Sequence, residues 1–439
     1  MMPISTSLRL SWRYLILGLA GLSTLLCIAG PAAAQTFFGG YRTVDQIYAD
    51  LVAAAIAYPD IVEVVDYGDS YAKSVGGVAW PGPGDLAGDD LLAARVTLRS
   101  NPGPKPVFFL MAGLHAAEIT TTEVTLRFLD ELTAGYGTDP DVTWLVDQHE
   151  IWIVPTTNPD GHRLVEFGAE SGAPWFWRKN ANISLDAGCA LPFGTQTFGD
   201  SATYGVDMNR NFDHEWDQAL DERAGSDQPC SSYYHGPSPA SEPEVAALQS
   251  QIAAVIDSQL GIADPDDTTG LFIQLHSPFE VIGSPWAWTP APPPNQTALV
   301  DIGSKLAFLN GYPHGQSHAI VYQMTGTADG WVYGALGAPA FLIELGESTL
   351  APYERVDDTL WPENRDLFLY AAKIARTPFR TVRGPDTVAP FVRSDAAGPI
   401  VRALIDDLEN GGNDLLAAEV TIGKAPWEAG AVAHPMAPV

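Results

Sequence analysis

Four short runs of apolar residues do most to limit what this chain can fold into. They are "VFFLMAG" (107–113), "EIWIVPTT" (150–157), "LFIQL" (271–275) and "AFLIEL" (340–345). Continuous apolar runs of this length are typical of strands that are buried on both faces. Helical patterns lie between them, and strands that alternate with helices predict an α/β fold with a central mixed, mostly parallel sheet flanked by helices.

Two helices can be placed by the residues that begin them. Thr43 and Gln46 have the spacing of a capping box, so a helix is predicted from there to about Tyr58. The run "IVEVVDYG" that follows it, at 61–68, predicts a strand. Ser241 and Glu244 repeat the capping-box spacing, and they predict the start of another helix in the second half of the chain.

The first 34 residues have the pattern of a secretory signal peptide. Arg9 and Arg13 precede the apolar run "YLILGLAGLSTLLCIAG", and "PAAAQ" follows as a small-residue cleavage site, with the cut expected after Ala34. A transmembrane anchor is the alternative, but the run is short for one. The protein is therefore expected to be secreted or periplasmic.

The charge of the chain excludes several classes of partner. The formal net charge is 23 minus 53, or -30. The predicted signal carries two arginines and no acidic residue, so the remaining chain has 21 minus 53, or -32. Such a surface argues against nucleic acid and anionic membranes as partners, including after signal cleavage. A soluble exported monomer is expected.

Two cysteines, Cys189 and Cys230, remain after the predicted cleavage. An even number in an exported chain suggests one disulfide, and two free buried thiols are the alternative. Both cysteines lie in segments rich in Gly, Ser, Pro and aromatic residues, 170–206 and 216–238, which predict long ordered loops. Near Arg380 the pattern changes, and "PIVRALIDDLENGGNDLLAAEVTIG" predicts two strands around a Gly-Gly turn.

A possible metal site lies at the ends of two predicted strands. His115 and Glu118 follow "VFFLMAG", and His276 follows "LFIQL". Sites in α/β sheets lie at the carboxyl ends of strands. Two histidines and one glutamate are a known three-ligand set for an open catalytic zinc site, with a fourth position left for water.

From about Tyr41 to about Pro378, the chain resembles the zinc carboxypeptidases of the carboxypeptidase A/B family, also called funnelins. The resemblance rests on eight motifs in the family's order: "GLHAAE", "NPDG", "WFWRKN", "GVDMNRNF", "YHGPSPASEPE", "QLHS", "YQMTGTADGW" and "FLIELGE". It implies a catalytic domain at 35–380, after the signal peptide at 1–34. Residues 381–439 are then a small appended β module, short for a complete sandwich.

The resemblance implies roles for the residues that would carry the chemistry. His115, Glu118 and His276 match the ligands of one zinc ion, and Asp207 matches the carboxylate that orients the first histidine. Glu344 matches the general base on the zinc-bound water.

Further residues match the family's substrate-binding groups. Arg178 matches the arginine that stabilises the oxyanion of the tetrahedral intermediate. Asn209 and Arg210 match the pair that binds the substrate's terminal carboxylate, and Tyr322 matches the tyrosine that closes over it. Asp329, seven positions after Tyr322, matches the base of the side-chain pocket. An aspartate there goes with C-terminal Lys or Arg, or else Asp329 only hydrogen-bonds to nearby backbone.

Taken singly, these residues have ordinary alternatives. Arg178 could be a solvated loop arginine, Arg210 could form an ion pair with Asp207 or Asp213, and Tyr322 could be a core residue. The family also implies a disulfide close to Cys189 and Cys230, and a cis peptide bond after Ser277.

Three functions are compatible with the sequence. The first is an exported zinc carboxypeptidase that removes C-terminal residues from peptides. A hydrolase of the same fold that acts on peptidoglycan stem peptides is the alternative, and a non-catalytic binding module would have lost a ligand or the base. Calcium has no clear site, because the acidic residues Asp264, Asp266 and Asp267 are more typical of a solvated loop.

Overall fold

A computed structural model describes residues 37–79, 84–170, 176–184, 189, 204–395, 398–407 and 414–438. The predicted signal peptide lies outside these residues, as does most of the loop between 185 and 203. In the part of the chain that is described, no helix combines the length and the apolar character needed to cross a membrane.

One eight-stranded sheet forms the centre of the protein, in the order β1-β2-β4-β3-β5-β8-β6-β7. Its strands are β1 (Val62–Asp69), β2 (Asp90–Val96), β3 (Val107–Met111), β4 (Glu150–Val154), β5 (Leu271–His276), β6 (Val281–Ser284), β7 (His314–Gln316) and β8 (Ala340–Glu344). Four of its seven strand pairs are parallel, so the sheet is mixed and mostly parallel, as predicted.

The apolar runs of the sequence form the middle of this sheet. Every residue of β3, β5 and β8 is buried, and the three strands are parallel neighbours. Helices cover both faces, since a sheet buried on both sides needs a layer on each. The helices are α1 (Val44–Ala57), α2 (Tyr71–Ser74), α3 (Ile119–Gly135), α4 (Pro140–Gln148), α5 (Pro159–Glu170), α6 (Pro243–Val255), α7 (Gln296–Asn310), α8 (Ser317–Ile320), α9 (Ala328–Trp331), α10 (Trp361–Ile374) and α11 (Pro378–Thr381).

One predicted capping box is confirmed and the other is wrong. The Thr43 side chain accepts from the Gln46 backbone, and the Gln46 side chain accepts from the Thr43 backbone, at the start of α1. At α6 the N-cap residue is Glu242, without a side-chain cap. Glu244 is fully buried and accepts instead from the Tyr71 backbone N–H at 2.7 Å. This tertiary partner, far away in sequence, replaces the local cap.

The C-terminal segment forms two small antiparallel sheets. In one, β9 (Asp386–Asp395) pairs with β10 (Gly398–Asp406), and in the other β11 (Ala418–Thr421) pairs with β12 (Ala433–Met436). The two strands predicted around the Gly-Gly segment are β10 and β11, but each pairs with a different partner. A connection of two residues joins β9 to β10, and closing so short a loop costs less entropy than the longer β10–β11 connection.

Candidate active site

Three adjacent strands of the sheet bring the predicted residues to one edge. β3, β5 and β8 are parallel neighbours, so their carboxyl ends meet there. β5 ends in His276 and β8 ends in Glu344, and these two residues are paired in register. After β3 the chain turns at Gly113, whose φ of +65° few other residues adopt, and this turn leads to His115 and Glu118.

His115, Glu118 and His276 form a compact group of possible metal ligands. One ligand atom from each residue lies within 4.8 Å of the other two, and all three residues are buried. His115 Nδ1 lies 2.8 Å from Glu118 Oε1, and His276 Nδ1 lies 2.9 Å from Glu118 Oε2. The two Nδ1 atoms are 3.1 Å apart. All three side chains therefore point their donor atoms at one place.

The other nitrogen of each ring contacts a polar side chain behind the group. His115 Nε2 lies 3.1 Å from Asp207 Oδ1. His276 Nε2 lies 3.1 Å from Gln274 Oε1 and 3.2 Å from Asn209 Nδ2. The Asp207 contact is the one that the sequence predicted.

Nearby charges favour the ionised forms of two carboxylates, Glu118 in the group and Asp207 behind it. Burial alone would raise the pKa of Glu118, but His115 and His276 lower it to about 2. Burial would likewise raise the pKa of Asp207, yet the charges of Arg178 and Arg210 hold it well below its usual range. Asp207 therefore accepts hydrogen bonds as an anion.

Arg178 is fixed against this same anion rather than being solvated. Its Nε and Nη2 donate to Asp207 Oδ2 at 3.0 and 2.8 Å. Its side chain is only 9% exposed, and Nη1 lies 3.2 Å from His115 Nδ1. A permanent positive charge thus lies directly beside the ligand group.

Glu344 lies at the same edge of the sheet and is 7% exposed. Burial first, and then the negative charge of Glu118, raise its pKa well above the usual value. Its Oε2 has no hydrogen-bond partner within the described residues.

Arg210 and Tyr322 are in contact in the cleft. Arg210 is fully buried, and its Nη2 donates to the Tyr322 hydroxyl at 3.0 Å. Its Nη1 donates to the Asn209 backbone oxygen at 2.8 Å. The Asn209 side-chain oxygen accepts from the Ala328 backbone N–H at 3.0 Å, so its amide is held in one orientation.

Eight of the predicted site residues line one cleft and two lie behind it. The eight are His115, Glu118, Arg178, Asn209, Arg210, His276, Tyr322 and Glu344. Asp207 and Asp329 are fully buried and are not among the lining residues. Asp329 Oδ1 accepts from Gln274 Nε2 at 2.6 Å. The apolar side chains of Met324 and Leu342 form part of the cleft wall.

Three smaller predictions can be compared with the structure: the disulfide, the cis peptide bond and the acidic segment. Cys189 and Cys230 form a disulfide with a Cα–Cα distance of 5.3 Å. The Ser277–Pro278 peptide bond is cis, as the resemblance implied. In the acidic segment, Asp266 forms an ion pair with Arg383, and Asp267 forms one with Arg380 at 2.6 Å. These two carboxylates are neutralised by arginines.

The geometry agrees with a comparison to known families. The family model described as zinc carboxypeptidase matches residues 47–367, which is most of the chain. The chain belongs to the zinc carboxypeptidase family. All eight cleft residues, and Asp207 and Asp329 behind them, fall within the matched range.

Curated relatives of the chain include carboxypeptidase A2 of Mus musculus, 27% identical over 317 residues. Carboxypeptidase A1 of Bos taurus is 23% identical over 317 residues. In both cases the match covers 71% of this chain but only 64% of the relative's length. The chain thus spans less than two thirds of these relatives.

Two solved structures share the fold. Bovine thrombin-activatable fibrinolysis inhibitor, in complex with tick carboxypeptidase inhibitor, has a TM-score of 0.57 at 22% identity, covering 79% of this chain and 98% of that chain. Carboxypeptidase A from Helicoverpa armigera has a TM-score of 0.58 at 22% identity, covering 78% and 76%.

Two residues at the candidate site were not predicted from the sequence. Gln274 contacts His276, and it could have been noticed as the polar residue in the otherwise apolar strand "LFIQL". Arg223 is exposed, and its guanidinium carbon lies 4.0 Å from the centre of the Tyr322 ring. No pattern in the sequence marks Arg223, because the contact joins residues 99 positions apart.

Proposed function

We propose that this chain is an exported zinc-dependent carboxypeptidase that hydrolyses the C-terminal peptide bond of peptides. One observation carries the proposal: three metal-ligand atoms, the Glu344 carboxylate and two arginines line a single cleft. A carboxypeptidase needs a Lewis acid, a base, an anion-stabilising group and a carboxylate-binding group at one place.

The residues present fit zinc. Two imidazole nitrogens and one carboxylate oxygen are the donor set of an open catalytic zinc site. His115 Nδ1 and His276 Nδ1 both point at Glu118, and both rings have polar partners at Nε2. A zinc ion held by these three residues supplies a Lewis acid that polarises the scissile carbonyl group and lowers the pKa of the attacking water.

Glu344 is the proposed general base. It removes a proton from the water as the water oxygen bonds to the peptide carbonyl carbon. When the carbon–nitrogen bond breaks, Glu344 passes that proton to the nitrogen of the departing residue. One water is consumed, and the products are a shortened peptide and a free amino acid. The position of Glu344 supports this role, because it is paired in register with the ligand His276 at the strand ends and its Oε2 has no hydrogen-bond partner within the described residues.

Arg178 is the proposed stabiliser of the negative charge that develops on the carbonyl oxygen. Its Nε and Nη2 donate to Asp207, and its Nη1 lies 3.2 Å from His115 Nδ1, beside the ligand group. Because the positive charge of Arg178 is already in position, its surroundings need not rearrange when the oxyanion forms. Such preorganisation is usually the largest contribution to stabilising a developing charge.

Arg210, with Asn209, is the proposed binding group for the substrate's terminal carboxylate. A guanidinium matches two carboxylate oxygens with parallel hydrogen bonds. The Tyr322 hydroxyl already bonds to Arg210 Nη2, so Tyr322 is placed to contact a substrate at the same point. A requirement for a free C-terminus follows from this buried cation.

The side-chain preference of the cleft stays a prediction. Asp329 was predicted to select C-terminal Lys or Arg, and its buried carboxylate lies 2.6 Å from Gln274. Met324 and Leu342, which line the cleft, favour apolar termini instead. Relative rates on peptides that differ only in the last residue decide between them.

Export also remains a prediction, made from residues 1–34. The Cys189–Cys230 disulfide supports it, because disulfides persist in oxidising compartments and are rare in the cytosol.

The test is incubation of the zinc-loaded protein with a set of defined peptides, read by mass spectrometry. The expected result is stepwise loss of single residues from the C-terminus, which a chelator stops and added zinc restores. Glu344→Gln is the matched control and should be inactive. Cleavage confined to peptidoglycan stem peptides would favour the alternative function, and internal or N-terminal cleavage would overturn the proposal.

A further inference from the structure

We propose that Asp329 positions the zinc ligand His276 through the side-chain amide of Gln274. The inference rests on the zinc site of the proposed function, and it gives Asp329 a role that is separate from substrate selection. The three side chains form a line of hydrogen bonds, called here the 329–274–276 relay. All three are buried, with exposures of 0%, 0% and 1%.

The position of Gln274 follows from strand geometry. Side chains two residues apart in a strand point to the same face, so Gln274 lies beside His276 on β5. Asp329 comes from the first turn of α9, more than 50 residues away in sequence. The relay therefore connects the sheet to a separate element that lies behind the cleft.

Asp329 determines which way the Gln274 amide points. Its Oδ1 accepts from Gln274 Nε2 at 2.6 Å, and the amide nitrogen of a glutamine can only donate hydrogen bonds. The NH₂ group of Gln274 must therefore face Asp329. This leaves the amide oxygen, Oε1, at 3.1 Å from His276 Nε2. A carboxylate at position 329 thus places an acceptor, rather than a donor, next to the ring.

The acceptor in turn determines the tautomer of His276. With Gln274 Oε1 as partner, Nε2 carries the proton and donates it. Nδ1, which lies 2.9 Å from Glu118 Oε2 in the ligand group, then carries the lone pair that a metal requires. The orienting partner of a ligand histidine is known to affect metal affinity in this way.

A competing contact makes the relay necessary. Asn209 Nδ2 lies 3.2 Å from the same Nε2 atom, and it is held there because Asn209 Oδ1 accepts from the Ala328 N–H. Donation from Asn209 would favour the opposite tautomer, with the proton on Nδ1. Without Asp329, the Gln274 amide could turn over and both neighbours would present N–H groups to Nε2. Asp329 prevents that arrangement.

The relay parallels the contact behind the other ligand histidine. His115 Nε2 meets the Asp207 carboxylate directly at 3.1 Å. At His276 an amide separates the carboxylate from the ring, so the same orienting effect acts over one additional hydrogen bond. Each ligand histidine then has a carboxylate that fixes its tautomer.

The test measures zinc affinity by competition with a chromophoric chelator, using the full chain and the variants Asp329→Ala, Asp329→Asn and Gln274→Met. Loss of the relay should weaken zinc binding about 10-fold or more in Asp329→Ala and Gln274→Met. Asp329→Asn keeps an oxygen acceptor for Gln274, so it should bind zinc more tightly than Asp329→Ala. The double variant Asp329→Ala/Gln274→Met should be no weaker than the poorer single variant, because both changes break one line of contacts.

The visible spectrum of the cobalt-substituted protein reports ligand geometry without any turnover. It should change in Asp329→Ala and stay unchanged in Asp160→Asn, a buried carboxylate outside the cleft that serves as the matched control. If Asp329→Ala does not fold, Gln274→Met decides the test. Zinc affinity within twofold of the unmutated chain in the folded variants would overturn the relay.

Two other results remain distinct. Failure of the unmutated chain to bind zinc would instead overturn the proposed function. A role in selection alone would change the ratio of rates on Lys-ended and Leu-ended peptides while leaving zinc affinity unchanged, and that outcome also overturns the relay.

Discussion

Replacement of Asp207 by asparagine is the most direct test of how the site is built. The Asp207 carboxylate is fully buried and uses both oxygens. Oδ2 accepts from Arg178 Nε at 3.0 Å and from Nη2 at 2.8 Å. Oδ1 accepts from the Asn209 backbone N–H at 3.0 Å and lies 3.1 Å from His115 Nε2. Asparagine has the same shape but only one oxygen and no charge.

Neither orientation of the new amide keeps these contacts. If its NH₂ replaces Oδ2, it faces the donors of Arg178, which is then left as a buried cation without its partner. If the NH₂ replaces Oδ1, it faces the Asn209 N–H and favours proton loss from His115 Nε2. The His115 proton then moves to Nδ1, the atom that must bind metal.

The size of the effect can be estimated from these contacts. Removing one partner of a buried ion pair costs about 3–5 kcal/mol of folding free energy. Loss of the carboxylate that orients a ligand histidine costs about 10- to 100-fold in metal affinity. Urea unfolding of the chelated protein measures the first effect, and chelator competition measures the second.

Asp160→Asn is the matched control for Asp207→Asn. Asp160 is also fully buried, and it accepts from Ser70 Oγ at 2.9 Å and from the Ala72 N–H at 2.7 Å, outside the cleft. This variant should lose stability and keep its zinc affinity. Zinc binding by Asp207→Asn within twofold of the unmutated chain would refute the role of Asp207.

Three further predictions concern the base, the pH dependence of stability and the side-chain preference. Glu344→Gln should lower kcat by about 10²- to 10⁴-fold with one zinc still bound, and normal turnover would show that the base is another group. Burial first, and then the charges of Asp160 and Glu242, raise the pKa of Glu244 from 4.5 to about 8. The folded chain keeps this proton where the unfolded chain loses it, so the free energy of unfolding should fall as pH rises from 4.5 to 8, by at most about 1.4 kcal/mol per pH unit. Glu244→Gln should flatten the slope in urea unfolding curves, and equal slopes for both proteins would contradict this. C-terminal Lys should be released faster than Leu, as measured by mass spectrometry, and equal rates would count against Asp329 as the selecting residue.

The central strands and the metal ligands were predictable for the same physical reason. A parallel strand buried on both faces is mostly apolar, so a charged or ionisable residue at its end is conspicuous. β5 ends at His276 and β8 ends at Glu344, and both polar residues interrupt apolar runs in the sequence. The sheet edge then brings together residues that lie far apart along the chain.

The remaining parts of the fold depend on contacts that have no local pattern. β6 and β7 have only four and three residues, "VIGS" and "HGQ", and they are strands because β8 and β6 offer them partners. Glu244 has the spacing of a capping residue, but its carboxylate bonds to Tyr71, 173 positions away. Sequence spacing cannot show whether the Glu244 carboxylate caps its own helix or accepts from the Tyr71 N–H, because either backbone N–H would satisfy it.

The net charge of the groups in and behind the cleft affects the metal, the base and the substrate together. Glu118, Asp207 and Glu344 contribute three carboxylates, and Arg178 and Arg210 contribute two permanent cations. With all three carboxylates ionised the group carries a net charge of -1, and burial together with the negative charge of Glu118 raises the pKa of Glu344. A divalent cation would change the sum to +1, which stabilises ionised Glu344 and leaves one positive charge uncompensated. A peptide brings one negative charge to this cleft in its terminal carboxylate. The two arginines beside the ligand group would therefore favour the free end of a peptide over its interior.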